Sequence, residues 1–214
     1  MSPDQALLIA ARAGERLDPV DADPAAFTTD AERGSFWVNL YNALVLDAVH
    51  REGLSGDLRA HRGLYTRTAL MVAGVRCSLH VIEHGLLRAN RPAPWTFWRP
   101  LRGADPRRGW QLRQLEPRIH FALNCGARSC PPIRAYTAAA WEAQLDLATR
   151  SYFASEARCV DDEVSLPWLL RLYARDFPDA REFSARHAEA PVAAALRAGA
   201  RVRWSPYDWT VGGP

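Results

Sequence analysis

The chain has 214 residues, 48% of them hydrophobic and 24% charged, a globular composition that excludes collagen-like, disordered and disulfide-scaffold classes. Its formal charge of +3 rests on 27 basic residues, and every one is arginine. They are scattered rather than gathered into a basic stripe, which argues against a nucleic-acid binder.

One domain spanning 1–214 can bury a full core at this length. The start MSPDQALLIAARAGERLDP has charges inside its apolar run, unlike a secretory signal, and no window approaches 18 uninterrupted apolar residues. A cytoplasmic, membrane-free setting is therefore expected, in which Cys77, Cys125, Cys130 and Cys159 stay thiols unless chemically engaged.

Asp4 to Arg16 has a weak apolar face and is read as a packing helix. Ala31 to Glu52 places Phe36, Leu40, Leu44 and Ala48 at helical spacing and is apolar most of the way round, which predicts a helix buried on several sides and ended by Gly53. Thr68 to Cys77 reads as a short hairpin turning at Gly74, after which Ser78 caps a helix over Leu79 to Arg88. Asn90 to Pro117, rich in proline, reads as a long irregular connection, and such connections commonly cover something. Arg118 to Cys125 alternates in part and predicts a strand that ends in the turn Gly126 to Pro132. Further helices are expected over Thr137 to Ala154, Pro167 to Phe177 and Pro191 to Ala198, with a short strand at Val202 and Trp204. The sum is an α+β domain.

Three segments carry candidate chemistry. On a strand, His120 and Asn124 point the same way toward a Gly-containing turn that also holds Cys125 and Cys130. Cys125 beside an imidazolium would be a competent nucleophile, whereas both cysteines could equally be small buried hydrophobes or a disulfide. The run His80-Val-Ile-Glu83-His84 matches the H-x-x-E-H pattern of one class of zinc hydrolases, though no motif marks a third ligand. On the long buried helix, Asn39 and Asn42 lie at i, i+3 and either line the floor of a site or tie the helix to neighbouring backbone.

The words FWVNLYNAL at 36–44, IEHGLLR at 82–88, RIHFALNCGARSCPPIRAY at 118–136, LPWLLRLYARDF at 166–177 and YDWT at 207–210 resemble, in order, the DUF547 family, a domain group of unassigned function. The layout of that family is similar to papain-like and transglutaminase-like folds, which implies several helices packed on a small antiparallel sheet carrying a catalytic His. In those enzymes the nucleophilic Cys opens the buried helix; here Asn39 stands in that region, so a relocated thiol at Cys125 would have to serve. The resemblance covers Glu83, His84 and Arg88 but not His80.

Two principal readings follow. In one, the domain is a ligand-binding or interaction module for a small molecule or protein, in which the polar cluster is a hydrogen-bonded network and Arg88, Arg118, Arg128 or Arg134 hold an anionic partner. In the other it is a thiol-dependent hydrolase or acyl-transfer enzyme: Cys125 attacks, His84 or His120 moves the proton, Glu83 or Asn124 orients the imidazole. Asn39, Asn42, Asn124, Arg88 and Cys130 are the candidate substrate contacts. A zinc hydrolase through His80, Glu83 and His84 is the third alternative; no metal or cofactor is assigned, and the oligomeric state is left open.

Overall fold

The computed structural model describes residues 2–161 and 163–212. Helix α1 (Pro3–Arg12) lies against α2 (Asp30–Glu52), the central element of the fold. Thr29 caps α2: its hydroxyl accepts from the Glu32 amide (3.2 Å) and the Glu32 carboxylate accepts from the Thr29 amide (2.8 Å), satisfying two groups that the first turn leaves unpaired. Gly53 ends the helix at φ 58, where a side chain would be strained. Residues Phe36 to Leu46 are all buried, as the all-round apolar pattern requires.

A one-turn helix, α3 (Leu64–Arg67), leads into the hairpin β1 (Ala69–Val72) and β2 (Val75–Ser78), whose turn takes Ala73 and Gly74 through positive φ. Val20 joins the outer side of β1 through bonds to Met71 and Ala73. The next helical stretch is widened: Val81–Leu87 is a π-helix, with the Arg88 amide bonded to Glu83 (2.9 Å) and that of Asn90 to Gly85 (3.0 Å), five residues back. Ser78 caps it, accepting from the Val81 amide at 3.3 Å.

Helix α4 (Trp141–Glu156) follows the 138–140 turn that Thr137 opens. Then come β3 (Arg158–Val160), β4 (Glu163–Leu166), α5 (Trp168–Leu172), a 3-10 turn at Ala174–Asp176, α6 (Ala180–His187), α7 (Ala190–Arg197) and β5 (Arg201–Trp204). β3 and β4 pair antiparallel, and β4 and β5 parallel. The α+β class stands. Among the described residues no helix is long and apolar enough to cross a membrane.

The strand expected over Arg118 to Cys125 is absent. Pro117–Phe121 forms a 3-10 turn, with Pro117 at its first position and the Glu116 carboxylate accepting from the Arg118 amide. The alternation that suggests a strand has another cause. Two hydrophobic clusters meet here: Ile119 and Leu123 enter the one around α2, and Phe121 enters the one formed by α4 to α7. Residues two apart therefore face opposite cores without being extended. The hairpin β3–β4 and helix α6 carry no strong pattern in the sequence; β3 is exposed throughout.

Candidate functional site

A cavity of about 100 Å³ opens where the π-helix, the 3-10 turn, the 124–131 loop, α5 and the C-terminal tail converge. Its walls bring together Glu83, His84, His120, Cys125 and Cys130, with Tyr41, Tyr65, Tyr173 and Tyr207 between them. The extra residue in each turn of a π-helix changes which side chains face inward. Here Glu83 and His84, though adjacent, are both buried and both line the cavity.

Tyr41 donates to Glu83 Oε2 at 3.0 Å, and the Tyr173 hydroxyl donates to Oε1. Burial works to raise the Glu83 carboxyl, but His84, the Tyr173 bond, His120 and Arg88 outweigh it and hold the group below its ordinary value, ionised. His84 is the opposite case. Burial pushes its imidazole down to about 4, and its Nδ1 lies 2.9 Å from a guanidinium nitrogen of Arg88. A guanidinium only donates, so Nδ1 accepts and the ring proton of neutral His84 sits on Nε2.

Asp176, on the 3-10 turn after α5, is the hub behind these groups. It is fully buried and takes a two-pronged ion pair from Arg88 (2.6 and 3.1 Å), a further contact from Arg91 (3.2 Å) and a bond from His120 Nε2 (2.9 Å). His120 stacks on Tyr173 with ring centroids 3.9 Å apart. Burial holds its imidazole down despite Asp176, so His120 is neutral, with Nε2–H directed to the carboxylate and Nδ1 left as an acceptor. Nδ1 has no hydrogen-bond partner among the described residues.

The thiols sit on a loop that is closed by amides. The Asn124 side chain accepts from the Gly126 amide (2.7 Å) and donates to Pro131 O (2.8 Å), stapling the two ends of the loop. Gly126 makes the turn at φ 94. Asn42, from α2, holds the staple in place: it donates to Ala122 O (3.0 Å) and accepts from the Asn124 amide (2.9 Å). The result sets Cys125 Sγ 2.8 Å from Cys130 Sγ, both as free thiols, with the Tyr207 hydroxyl 3.1 Å from Cys130 Sγ and 3.6 Å from Cys125 Sγ. Hydrogen bonding from Cys130, the Ala127 amide and Tyr207 brings the Cys125 thiol down to about 7 against the effect of burial, whereas burial and Cys125 itself push Cys130 well up. No imidazole is among the leading causes of this asymmetry.

The remaining expected residues lie elsewhere or act indirectly. Asn39 is not at the cavity: it binds Asp4 (2.6 Å) and both backbone groups of Tyr136 (2.8 Å each), tying α2 to α1 and to the 131–136 segment. Arg88 is 2% exposed and spent on Asp176, His84 and Pro92 O, so it positions groups rather than meeting a ligand. Arg118 is likewise engaged by Glu116, Glu142 and Asp146. The zinc pattern does not assemble a ligand set, although His80 also lines the cavity. His84 Nδ1 is taken by Arg88 and both Glu83 oxygens by tyrosines, and among the described residues no three His, Cys, Asp or Glu side chains are placed to hold a metal ion. The four tyrosines and Asp176 were not singled out from the sequence. Asp176 lies within the 166–177 word, and Tyr207 opens the 207–210 one. Of the 90–117 connection, Trp95 reaches the cavity mouth, edge-on to His84 at 5.7 Å, while Leu101, Trp110 and Leu112 pack into the α2 core.

Fold and site together define an α+β domain built round a largely apolar cavity that bears two thiols and a few convergent polar groups. The family profile described as "Protein of unknown function, DUF547" matches residues 25–153, more than half of the chain, and the chain belongs to that family. The matched residues contain Cys125, Cys130, Glu83, His84 and His120; the words at 166–177 and 207–210 lie beyond them. No curated protein and no solved structure matches the chain.

Proposed function

We propose that the domain is a thiol-dependent hydrolase or acyl-transfer enzyme with Cys125 as nucleophile, His120 as the proton carrier and Asp176 as the group that orients His120. The observation that carries this reading is that a thiol brought down to about 7 and an imidazole held by a buried carboxylate line one cavity. A positioned nucleophile, a neutral base and an orienting carboxylate are the parts that acyl transfer needs, whatever their order along a chain.

Cys125 sulfur adds to a carbonyl carbon, and any proton it still carries passes to His120 Nδ1. The imidazolium so formed is stabilised by Asp176 and returns the proton to the departing alkoxide or amine as the carbon–heteroatom bond breaks. Water or a second nucleophile then releases the acyl group from the thioester. His84, with Nδ1 closed by Arg88, has only its Nε2–H to offer, which suits it to donate to the developing oxyanion rather than to accept a proton.

The test is reaction with an activated ester such as p-nitrophenyl acetate, followed by intact mass and peptide mapping. An acyl adduct on Cys125, with turnover reduced about 10²- to 10⁴-fold in His120→Ala, is the expected result. No adduct, together with slow alkylation of all four cysteines, would defeat this reading and leave the cavity as a binding site for a small apolar ligand. The saturated Glu83–tyrosine network is the observation that favours that second reading.

A further inference from the structure

Acyl transfer needs one sulfur, yet the loop presents two. We propose that Cys125 and Cys130 are a redox-active pair that closes to a disulfide by exchange with disulfides of low-molecular-weight thiols, giving the cavity a second activity and an oxidised state without a nucleophile.

Three observations carry this beyond the acyl-transfer reading, on which it does not depend. First, the sulfurs are 2.8 Å apart, and both cysteines are half-buried at the cavity wall, open to a small reagent. The other two thiols are not so placed: Cys77 is sealed in the α2 core and Cys159 lies exposed on β3. Second, the loop is already closed by Asn124 bridging Gly126 and Pro131, so joining the sulfurs requires no further ordering of the chain. Third, Cys130 Sγ receives the Cys125 amide (3.0 Å) and approaches Tyr207 (3.1 Å), two donors that favour its thiolate when it acts. Burial keeps the Tyr207 phenol protonated, and so a donor. Cys130 also borders a second, larger cavity of about 480 Å³ lined by Val45, Val49, Asn124 and Arg128.

The exchange proceeds in two steps. The Cys125 thiolate attacks one sulfur of the small disulfide, forming a mixed disulfide as the reagent's own S–S bond breaks and one thiolate departs. Cys130 then attacks Cys125 sulfur, its proton passing to the thiolate that leaves. The two protein thiols are oxidised, one small disulfide is reduced to two thiols, and no other reactant is needed. The reverse reaction restores the nucleophile.

The experiment uses the full chain with Cys77→Ser and Cys159→Ser, equilibrated with oxidised and reduced glutathione, quenched in acid and read by peptide mass spectrometry. A Cys125–Cys130 disulfide is expected to form and to be removed by dithiothreitol. In the further variant Cys130→Ser it is lost, and glutathione remains on Cys125. If that variant fails to fold, rapid quenching of the parent chain must still show the mixed disulfide on Cys125 rising and then decaying into the pair. Persistent glutathione on Cys125 in the parent chain, or two free thiols at the oxidising end of the series, overturns the proposal. Ester chemistry is scored separately: a pair that cycles in a protein inert to esters would refute the acyl-transfer reading alone.

Discussion

Residues 25–153, which the family profile matches, supply the groups that bear chemistry, namely Glu83, His84, His120 and the two thiols; the residues after 153 supply Asp176, Tyr173 and Tyr207, which set the protonation and orientation of the first group. The two hydrophobic cores do not divide at that boundary: the one around α2 takes Trp141 and Leu145 from α4, and the other takes Tyr152 and Phe153 from α4 together with Phe121. The cavity lies along their seam, and the Pro117–Phe121 turn places a side chain in each. With Asp176, Tyr173 and Tyr207 reaching the reactive groups from beyond residue 153, the site is sensitive to anything that loosens the seam between the cores, and that can be measured.

Removing the hub should have the largest effect. Asp176→Ala leaves the Arg88 guanidinium buried without its counter-charge, a situation that costs about 3–5 kcal/mol in comparable cases, so denaturant unfolding should show a loss of that order. A loss under about 1 kcal/mol would mean that the two cores are less dependent on one another than the geometry implies.

Acid should act next. His84 has a folded-state value of about 4 against an ordinary 6.5, so the unfolded chain takes up its proton first. The stability this contributes is complete above pH 6.5 and drains away as pH falls toward 4, by roughly 3 kcal/mol in all. Glu83 and Asp176, both held below their ordinary values, add to the loss only at still lower pH. Thermal unfolding between pH 7 and 4 reads this, and His84→Gln should flatten the upper part of the curve.

The two asparagines of α2 separate stability from site. Asn39→Ala and Asn42→Ala each break buried hydrogen bonds, for a cost of about 2 kcal/mol apiece. Only Asn42→Ala should also slow iodoacetamide labelling of Cys125 at pH 7, because only Asn42 holds the loop. Equal labelling in the two variants would contradict that division. Smallest is Tyr207→Phe, expected to cost about 1 kcal/mol or less while moving the midpoint of Cys125 alkylation upward from about 7.

Much of this was legible beforehand. The capped and all-round apolar α2, the β1–β2 turn at Gly74 and helices α4 and α7 follow from local signals that the structure keeps, whereas the helix expected over Pro167 to Phe177 breaks into α5 and a 3-10 turn. The Cys125 region was located, but its geometry was not, because a period of two in apolar residues serves a strand and a turn wedged between two cores equally well. The role of Asp176 was hidden for another reason. An acidic residue in an ARDF sequence gives no local sign that it will be buried against Arg88 and His120, each more than fifty positions away along the chain. Tyr207 is similar, its partners lying about eighty residues earlier.

That last distance bears on when the thiol becomes reactive during synthesis. The Val211 amide bonds Gly56 and the Gly212 amide bonds Gly126, so the strip carrying Tyr207 is held to two much earlier loops. A nascent chain that has already exposed Cys125 to the ribosomal exit would lack Tyr207 until some eighty further residues had emerged. Of the donors that lower the Cys125 thiol, Cys130 and the Ala127 amide thus come with the loop itself, and the Tyr207 hydroxyl is added later together with its share of the cavity wall.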